Sequence, residues 1–340
     1  MKYRPLGRTG LKVSPLTLGC MMFGNKTSPE DSYRIIDQAL EAGINILDTA
    51  NVYTRGKSEE VTGEALKRNG QRDRVILATK VHGAMADDDP NMESISRRHI
   101  IEQCEASLKR LQTDHIDLYQ LHRPRSEVAI DESLRALDDL VRAGKVRYIG
   151  TSFFVSWKLV ESLWAAKEYG LNRFVTEQPP YSILDRRIER ELIPMAQTYG
   201  FGLLPFGPLA GGLLSGKYTE TDAAKAPADS RYADAGNWRH AMRLKADALK
   251  AVDQLKPLVE AKGVGLSEFS TAWAMAQPGV TSPIVGPRTM EHMESYLKSL
   301  EVVITPEDEA AVDQIVPPGE HASAYYQADF SDFGRQQYRW

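Results

Sequence analysis

The chain has 340 residues, 42% of them hydrophobic and 26% charged, with a formal net charge of -4. It carries no basic stripe of the kind that binds nucleic acid or an anionic membrane. No apolar run approaches the roughly 18 residues of a membrane span, and the opening "MKYRPLGRTG" lacks an apolar signal region. Two cysteines, Cys20 and Cys104, argue against a disulfide framework and for a reducing cytoplasm.

Length alone is compatible with two domains, but single barrels reach this size. The first segment, "YRPL", "GRTG", "LKVSPL", reads as a β-hairpin over residues 1–15, with Gly7 and Gly10 in its turn region. Short apolar runs then alternate with amphipathic stretches. The runs are "LTLG" (16–19), "NILD" (45–48), "RVILATK" (74–80), "IDLYQLH" (116–122), "VRYIGTS" (146–152), "FVTEQ" (174–178), "GLLPFG" (202–207) and "SPIVG" (282–286). Several are almost continuously hydrophobic, as parallel strands covered on both faces are. Between them, Ile100, Cys104, Leu108 and Leu111 fall at helical spacing, as do Ile130, Leu134, Leu137 and Val141. Ser28, Pro29 and Glu30 ahead of Tyr33, Ile36 and Leu40 form a capped helix start.

Eight strands alternating with helices predict an α/β fold, a (β/α)8 TIM barrel over residues 16–300, with a doubly wound open sheet as the alternative. The whole chain, 1–340, reads as one domain: hairpin, barrel and a C-terminal tail over 301–340. Two segments break the rhythm. Residues 208–243 make a long connection rich in Gly, Ala and Pro, and long loops in compact domains are usually functional or disordered. The tail is expected to pack on the barrel through Tyr325, Tyr326, Phe330, Phe333, Tyr338 and Trp340.

Barrel active sites lie at the C-terminal ends of the strands. The second strand ends in Asp48, with Tyr53 in the following loop; the third ends in Lys80 and the fourth in His122. Each has an ordinary explanation singly: a strand end, a packed ring, a solvated ammonium, a core histidine. A barrel sets these three strand mouths side by side, so carboxylate, phenol, ammonium and imidazole would face one another. A tyrosine near pKa 10 is a poor proton donor at neutral pH. An adjacent ammonium stabilises the phenolate, and a carboxylate keeps that ammonium charged and in place. The set suits proton donation to an oxygen that is becoming an alkoxide, while the hydride must come from a cofactor.

The motifs "NILDTANVY", "LATK", "YQLHRP" and "IVGPRT" together resemble the aldo-keto reductase signature, in the right order on the right strands, from the hairpin to about residue 300. The resemblance implies a barrel that binds NADPH or NADH without a metal, and a catalytic tetrad at Asp48, Tyr53, Lys80 and His122. It further implies that Ser152 and Gln178 hold the nicotinamide carboxamide and that Phe206 stacks on the ring. Cys20 and Met21 would lie near the nicotinamide ribose, with Asp48. "PLAGGLLSGKY" (208–218), with Gly207, Pro208, Leu209 and Gly211, would fold over the pyrophosphate, where Lys217 and Arg231 would supply charge. Gly286, Arg288 and His292 would meet the adenosine end, and Arg288 favours NADP(H) over NAD(H). Three positions depart from the family pattern: Phe153 stands where Asn is frequent after the serine, His292 where Gln is expected, and Ser295 and Tyr296 replace a Glu/Asn pair.

The leading expectation is therefore an NADP(H)-dependent oxidoreductase acting on a small carbonyl or alcohol substrate. The alternative is an NADPH-binding, channel-associated regulatory subunit with little catalysis; such subunits can lack the histidine that stands here as His122. Phe23, Val81, His82, Phe153, Phe154 and the 208–243 loop are expected around the pocket, favouring an aromatic or otherwise bulky carbonyl compound. No G-x-G-x-x-G follows the first strand, and no H-E-x-x-H, C-x-x-C or G-x-S-x-G occurs. "DHID" (114–117) reads as a helix-to-strand junction, and Cys104 as inert core.

Overall fold

A computed structural model describes residues 1–221, 225–227, 230, 232 and 243–324. Strands β1 (Arg4–Pro5) and β2 (Lys12–Val13) form the antiparallel hairpin. The barrel strands are β3 (Thr17–Gly19), β4 (Ile46–Asp48), β5 (Ile76–Val81), β6 (Ile116–Leu121), β7 (Val146–Ser152), β8 (Thr176–Gln178), β9 (Gly202–Leu203) and β10 (Ile284–Val285). All are parallel, in the order β10-β3-β4-β5-β6-β7-β8-β9. Parallel bridges from Leu203 to Val280 and from Phe206 to Ile284 join the two ends of that row, and the Ile284 N–H donates to the Pro205 carbonyl at 2.7 Å. The sheet is therefore a closed ring, not an open doubly wound sheet.

Helices surround the ring: α1 (Pro29–Glu41), α2 (Lys57–Asn69), α3 (Arg97–Leu111), α4 (Ile130–Arg142), α5 (Ser156–Tyr169), α6 (Leu192–Tyr199), α7 (Ala246–Ala261), α8 (Leu266–Ala276), α9 (Met290–Lys298) and α10 (Pro306–Ile315). The Ser28 hydroxyl accepts the Asp31 N–H at 3.1 Å, and Pro29 starts α1 where its missing N–H costs nothing. None of the described helices is long and apolar enough to cross a membrane.

The core has two parts, set by the period-two alternation of strand side chains. Leu47, Leu77, Tyr119, Leu121, Ile149 and Leu203 point outward and pack under the helices. Ile46, Ile76, Ala78, Leu118, Leu204 and Ile284 fill the inside of the ring, and the hairpin adds Leu6 and Val13 to that inner cluster.

The expected tail contains a helix. Thr305 and Asp308 form a capping box at the start of α10, with Pro306 in its first turn. Arg186 fastens the end of this helix, donating to Asp313 and to the Val316 carbonyl at 2.7 Å each. The aromatic residues from Tyr325 to Trp340 lie outside the described residues. The "GLLPFG" segment is a ladder strand only over Gly202–Leu203, since Pro205 has no N–H to give.

Candidate functional site

The alternation that fills the ring also builds the site. Along β4, β5, β6 and β8 the inward-facing row runs from Ile46 to Asp48, from Ile76 and Ala78 to Lys80, from Leu118 and Gln120 towards His122, and from Thr176 to Gln178. At the C-terminal end of the ring the filler residues give way to polar ones facing the same cavity, of about 500 Å³. Tyr53 opens a short 3-10 turn (Tyr53–Gly56) beyond β4, its N–H donating to the Ala50 carbonyl at 3.1 Å.

Asp48 and Lys80 are buried and form an ion pair in which Lys80 Nζ donates to Asp48 Oδ1. The same ammonium donates to the Thr49 carbonyl at 2.9 Å and lies 3.3 Å from the Tyr53 hydroxyl. Burial alone would push Lys80 towards neutrality, but Asp48 and Tyr53 outweigh it and hold its pKa above the ordinary lysine value. The second Asp48 oxygen accepts Nε2–H bonds from Gln178 at 2.7 Å and from Gln120 at 3.2 Å. Three side chains thus fix one carboxylate. The rings of Tyr53 and His122 meet edge to face, with centroids 5.5 Å apart. Burial, then Lys80, Arg123 and His82, push the His122 imidazole well below its usual pKa, so it is neutral at pH 7.

The cavity wall also includes Met21, Ser152, Phe206, Gly207, Pro208, Leu209, Gly211, Lys217, Gly286, Arg288 and His292. Ser152 donates to the Gln178 carbonyl at 3.0 Å. Gly211 and Gly212 have φ of 73° and 105°, backbone that a side chain would strain. The Tyr218 hydroxyl beside them is buried with no hydrogen-bond partner. Arg288 is pinned through its backbone: its carbonyl accepts from Thr27 at 3.1 Å, and its N–H donates to His292 Nδ1 at 3.4 Å. Ser295 and Tyr296 line this end as well, although Ser295 donates to Glu268 at 2.6 Å. Arg231 lies outside the described residues.

Several expected residues face the other way. In β3 the inward row is Thr17, Gly19 and Met21, so the Cys20 side chain is buried beneath the helices, where its thiol donates to the Leu18 carbonyl at 3.8 Å while its carbonyl accepts from Ser58 at 2.7 Å. Val81 and Phe23 are buried in the outer core for the same reason, and Phe154 packs on Phe174. His82 and Phe153 do line the cavity. Gln120, Arg123, Tyr218 and Ser267 are wall or supporting residues that the strand-end reading missed. Gln120 was accessible to it, because it sits two residues before His122 on the inward row.

A family model for the aldo/keto reductase family matches residues 15–317. The chain belongs to that family. This aldo/keto reductase is 41% identical over 335 residues to an uncharacterised oxidoreductase, YrpG, of Bacillus subtilis, covering 96% of this chain and 99% of that protein. It is 35% identical to a probable voltage-gated potassium channel subunit beta of rice, Oryza sativa, over 93% of this chain and 97% of the relative. It is 33% identical to the versiconal hemiacetal acetate reductase of Aspergillus parasiticus, over 94% of this chain and all of the relative. The family, together with the relatives named as an oxidoreductase and a reductase, makes the protein an oxidoreductase of the carbonyl-reducing class.

Proposed function

We propose that this aldo/keto reductase interconverts an aldehyde or ketone and its alcohol with NADP(H), Tyr53 being the general acid in reduction and the base in oxidation. One observation carries the reading: a single buried ammonium, Lys80, is bonded to Asp48 and stands 3.3 Å from the Tyr53 hydroxyl on the wall of the cavity.

The residues present fit a nicotinamide dinucleotide. The unpartnered Tyr218 hydroxyl and the open backbone at Gly211 and Gly212 suit phosphate oxygens. Met21, Asp48, Ser152, Gln178 and Phe206 would hold the nicotinamide end; Gly207, Pro208, Leu209, Gly211 and Lys217 the diphosphate; Gly286, Arg288 and His292 the adenosine. When bound, the cofactor supplies the hydride that no side chain can.

The chain's own part is the proton. Lys80, kept charged by Asp48, stabilises the Tyr53 phenolate and so eases loss of its proton to the substrate oxygen. His122, held neutral, donates a ring N–H to that oxygen and orients it without adding a charge. Gln120 and Gln178 keep Asp48 from turning away from Lys80. The whole chain acts as one barrel domain in this reading.

A second reading follows from the relative named as a channel subunit: a dinucleotide-binding regulatory protein with little turnover. His122 beside Tyr53 favours the enzyme. The decisive experiment replaces Tyr53 by Phe. NADPH binding should persist, while aldehyde reduction falls by about 10²- to 10⁴-fold. Turnover near the wild-type rate would remove Tyr53 as the acid.

A further inference from the structure

The inward row of β5, Ile76, Ala78 and Lys80, takes one more step beyond the strand to His82, which lines the cavity. The backbone there is held, since the His82 carbonyl accepts from the Ser94 N–H at 2.8 Å. The next residue, Gly83, lies so close to the turn that carries Tyr53 that an added methyl group would meet Val52 Cγ2 at 2.6 Å. His82 is also near enough to His122 to help hold that ring neutral. It therefore faces the reacting end of the cavity, away from the end assigned above to the adenosine.

One of its ring nitrogens is committed. Arg125 Nε–H donates to His82 Nε2 at 2.9 Å. A guanidinium has no lone pair to give, so Nε2 must be the acceptor, and a neutral ring then carries its proton on Nδ1. The ring is neutral, because burial, then Arg125 and Arg123, hold its pKa down at about 3. Arg125 is itself positioned by Glu93 at 3.6 Å and Glu127 at 3.5 Å, which also meet its charge. Arg123 lays its guanidinium over the Phe153 ring, 4.1 Å from the centroid. Among the described residues none accepts a hydrogen bond from Nδ1, and that nitrogen is not a sealed orphan, because His82 is only half-buried. The wall thus offers an uncharged donor of fixed tautomer, close to the His122 ring assigned above to the reacting oxygen.

We propose that His82 determines specificity by donating its Nδ1–H to a second, uncharged acceptor on the substrate, a ring nitrogen or an oxygen apart from the carbonyl being reduced. The inference rests on the tetrad reading above and narrows its substrate class to carbonyl compounds that carry such an acceptor. A site built to give a hydrogen bond discriminates against an analogue that cannot take it, because the donor is then left unpaired. His82 acts on binding, so its loss should appear mainly in KM.

The test follows NADPH oxidation with benzaldehyde and with the three pyridinecarboxaldehydes, which share its shape and differ by one ring nitrogen. Electronic differences belong to the aldehydes and are the same for every variant. The readout is therefore the ratio of kcat/KM for each pyridine aldehyde to that for benzaldehyde. In His82→Phe this ratio should fall, for at least one isomer, by about 5- to 50-fold from its wild-type value. Ratios unchanged for all three isomers overturn the proposal. Should His82→Phe not fold, the wild type alone decides: at least one pyridylmethanol should inhibit benzaldehyde reduction about fivefold or more strongly than benzyl alcohol does, and equal inhibition by all isomers overturns it. Turnover of the aldehydes with unchanged ratios sinks this inference alone. No turnover of any of them by the wild type sinks the tetrad reading, and this proposal with it.

Discussion

Lys80 Nζ contacts the Asp48 carboxylate and the Tyr53 hydroxyl at once, and both members of its ion pair are buried. A buried pair of this kind is strongly destabilising to break, because the surviving charge is left without compensation. Asp48→Asn should therefore cost about 3–5 kcal/mol in urea unfolding at pH 7. The sign of the pH effect follows from Lys80, whose pKa is raised in the fold. Its contribution is fully present below the unfolded lysine value of about 10.4 and is lost as pH rises through the folded value. The gap between wild type and Asp48→Asn should thus be constant from pH 7 to 9 and narrow above about pH 10.5. Equal stability of the two proteins at pH 7 would show that the pair contributes nothing.

Arg288 sits at the other end of the cavity with its backbone fixed by Thr27 and His292. A guanidinium there can grip a 2'-phosphate with two parallel bonds. Arg288→Ala should weaken NADPH binding by about 10- to 100-fold and leave NADH binding nearly unchanged, as read by fluorescence titration. Equal losses for the two cofactors would assign Arg288 to a part they share.

Most of this arrangement was legible because a barrel strand writes its site in a period of two. Asp48, Lys80 and Gln178 end apolar runs on the inward row, and a carboxylate or an ammonium there has no reason to exist except the cavity beyond. The same rule would have excluded Cys20 and Val81 had the phase of each strand been tracked, since each adjoins an inward residue, Met21 and Lys80. Phase in β3 differs from its neighbours, with odd positions inward, and a short strand of three residues gives little pattern to show it. Helix α10 was missed for another reason: its Thr-Pro-Glu-Asp start is a strong capping signal, but the weak apolar stripe behind it buries only Asp308 and Val312. Arg123 and Phe153 meet through a left-handed backbone that the residue type does not announce, since asparagine, not phenylalanine, favours that region.

Glu177 supports the same loop from behind. It is fully buried, and burial pushes its pKa up to about 8, although the Thr151 hydroxyl and the Phe154 N–H both donate to it. It is therefore protonated in the fold at pH 7 and ionised in the unfolded chain. A carboxyl with a raised folded pKa contributes stability that is full below the unfolded value, near 4.5, and is lost as pH rises to about 8. Glu177→Gln keeps a neutral group of the same shape and cannot ionise. Thermal melts should show wild-type stability falling relative to Glu177→Gln between pH 5 and about 8, and the difference levelling off above that. Parallel curves across the range would mean that Glu177 is ionised in the fold.

Gly150 lies opposite Gln120 on one side and Thr176 on the other, in the middle of the ring. A methyl group at Gly150 would meet Thr176 Oγ1 at 2.1 Å and Gln120 Cγ at 3.2 Å. That overlap should cost about 1–3 kcal/mol. It should also displace Gln120, which donates to Asp48, so Gly150→Ala should lose turnover as well as stability. The Thr176 hydroxyl is buried without a hydrogen-bond partner, so removing it forfeits no bond. Thr176→Ala alone should be close to neutral, and in the double variant it should restore most of what Gly150→Ala loses, in both melting temperature and kcat. A Gly150→Ala protein as stable as the wild type, or a double variant no better than the single one, would mean that the ring has slack at this layer and that Gln120 does not depend on it.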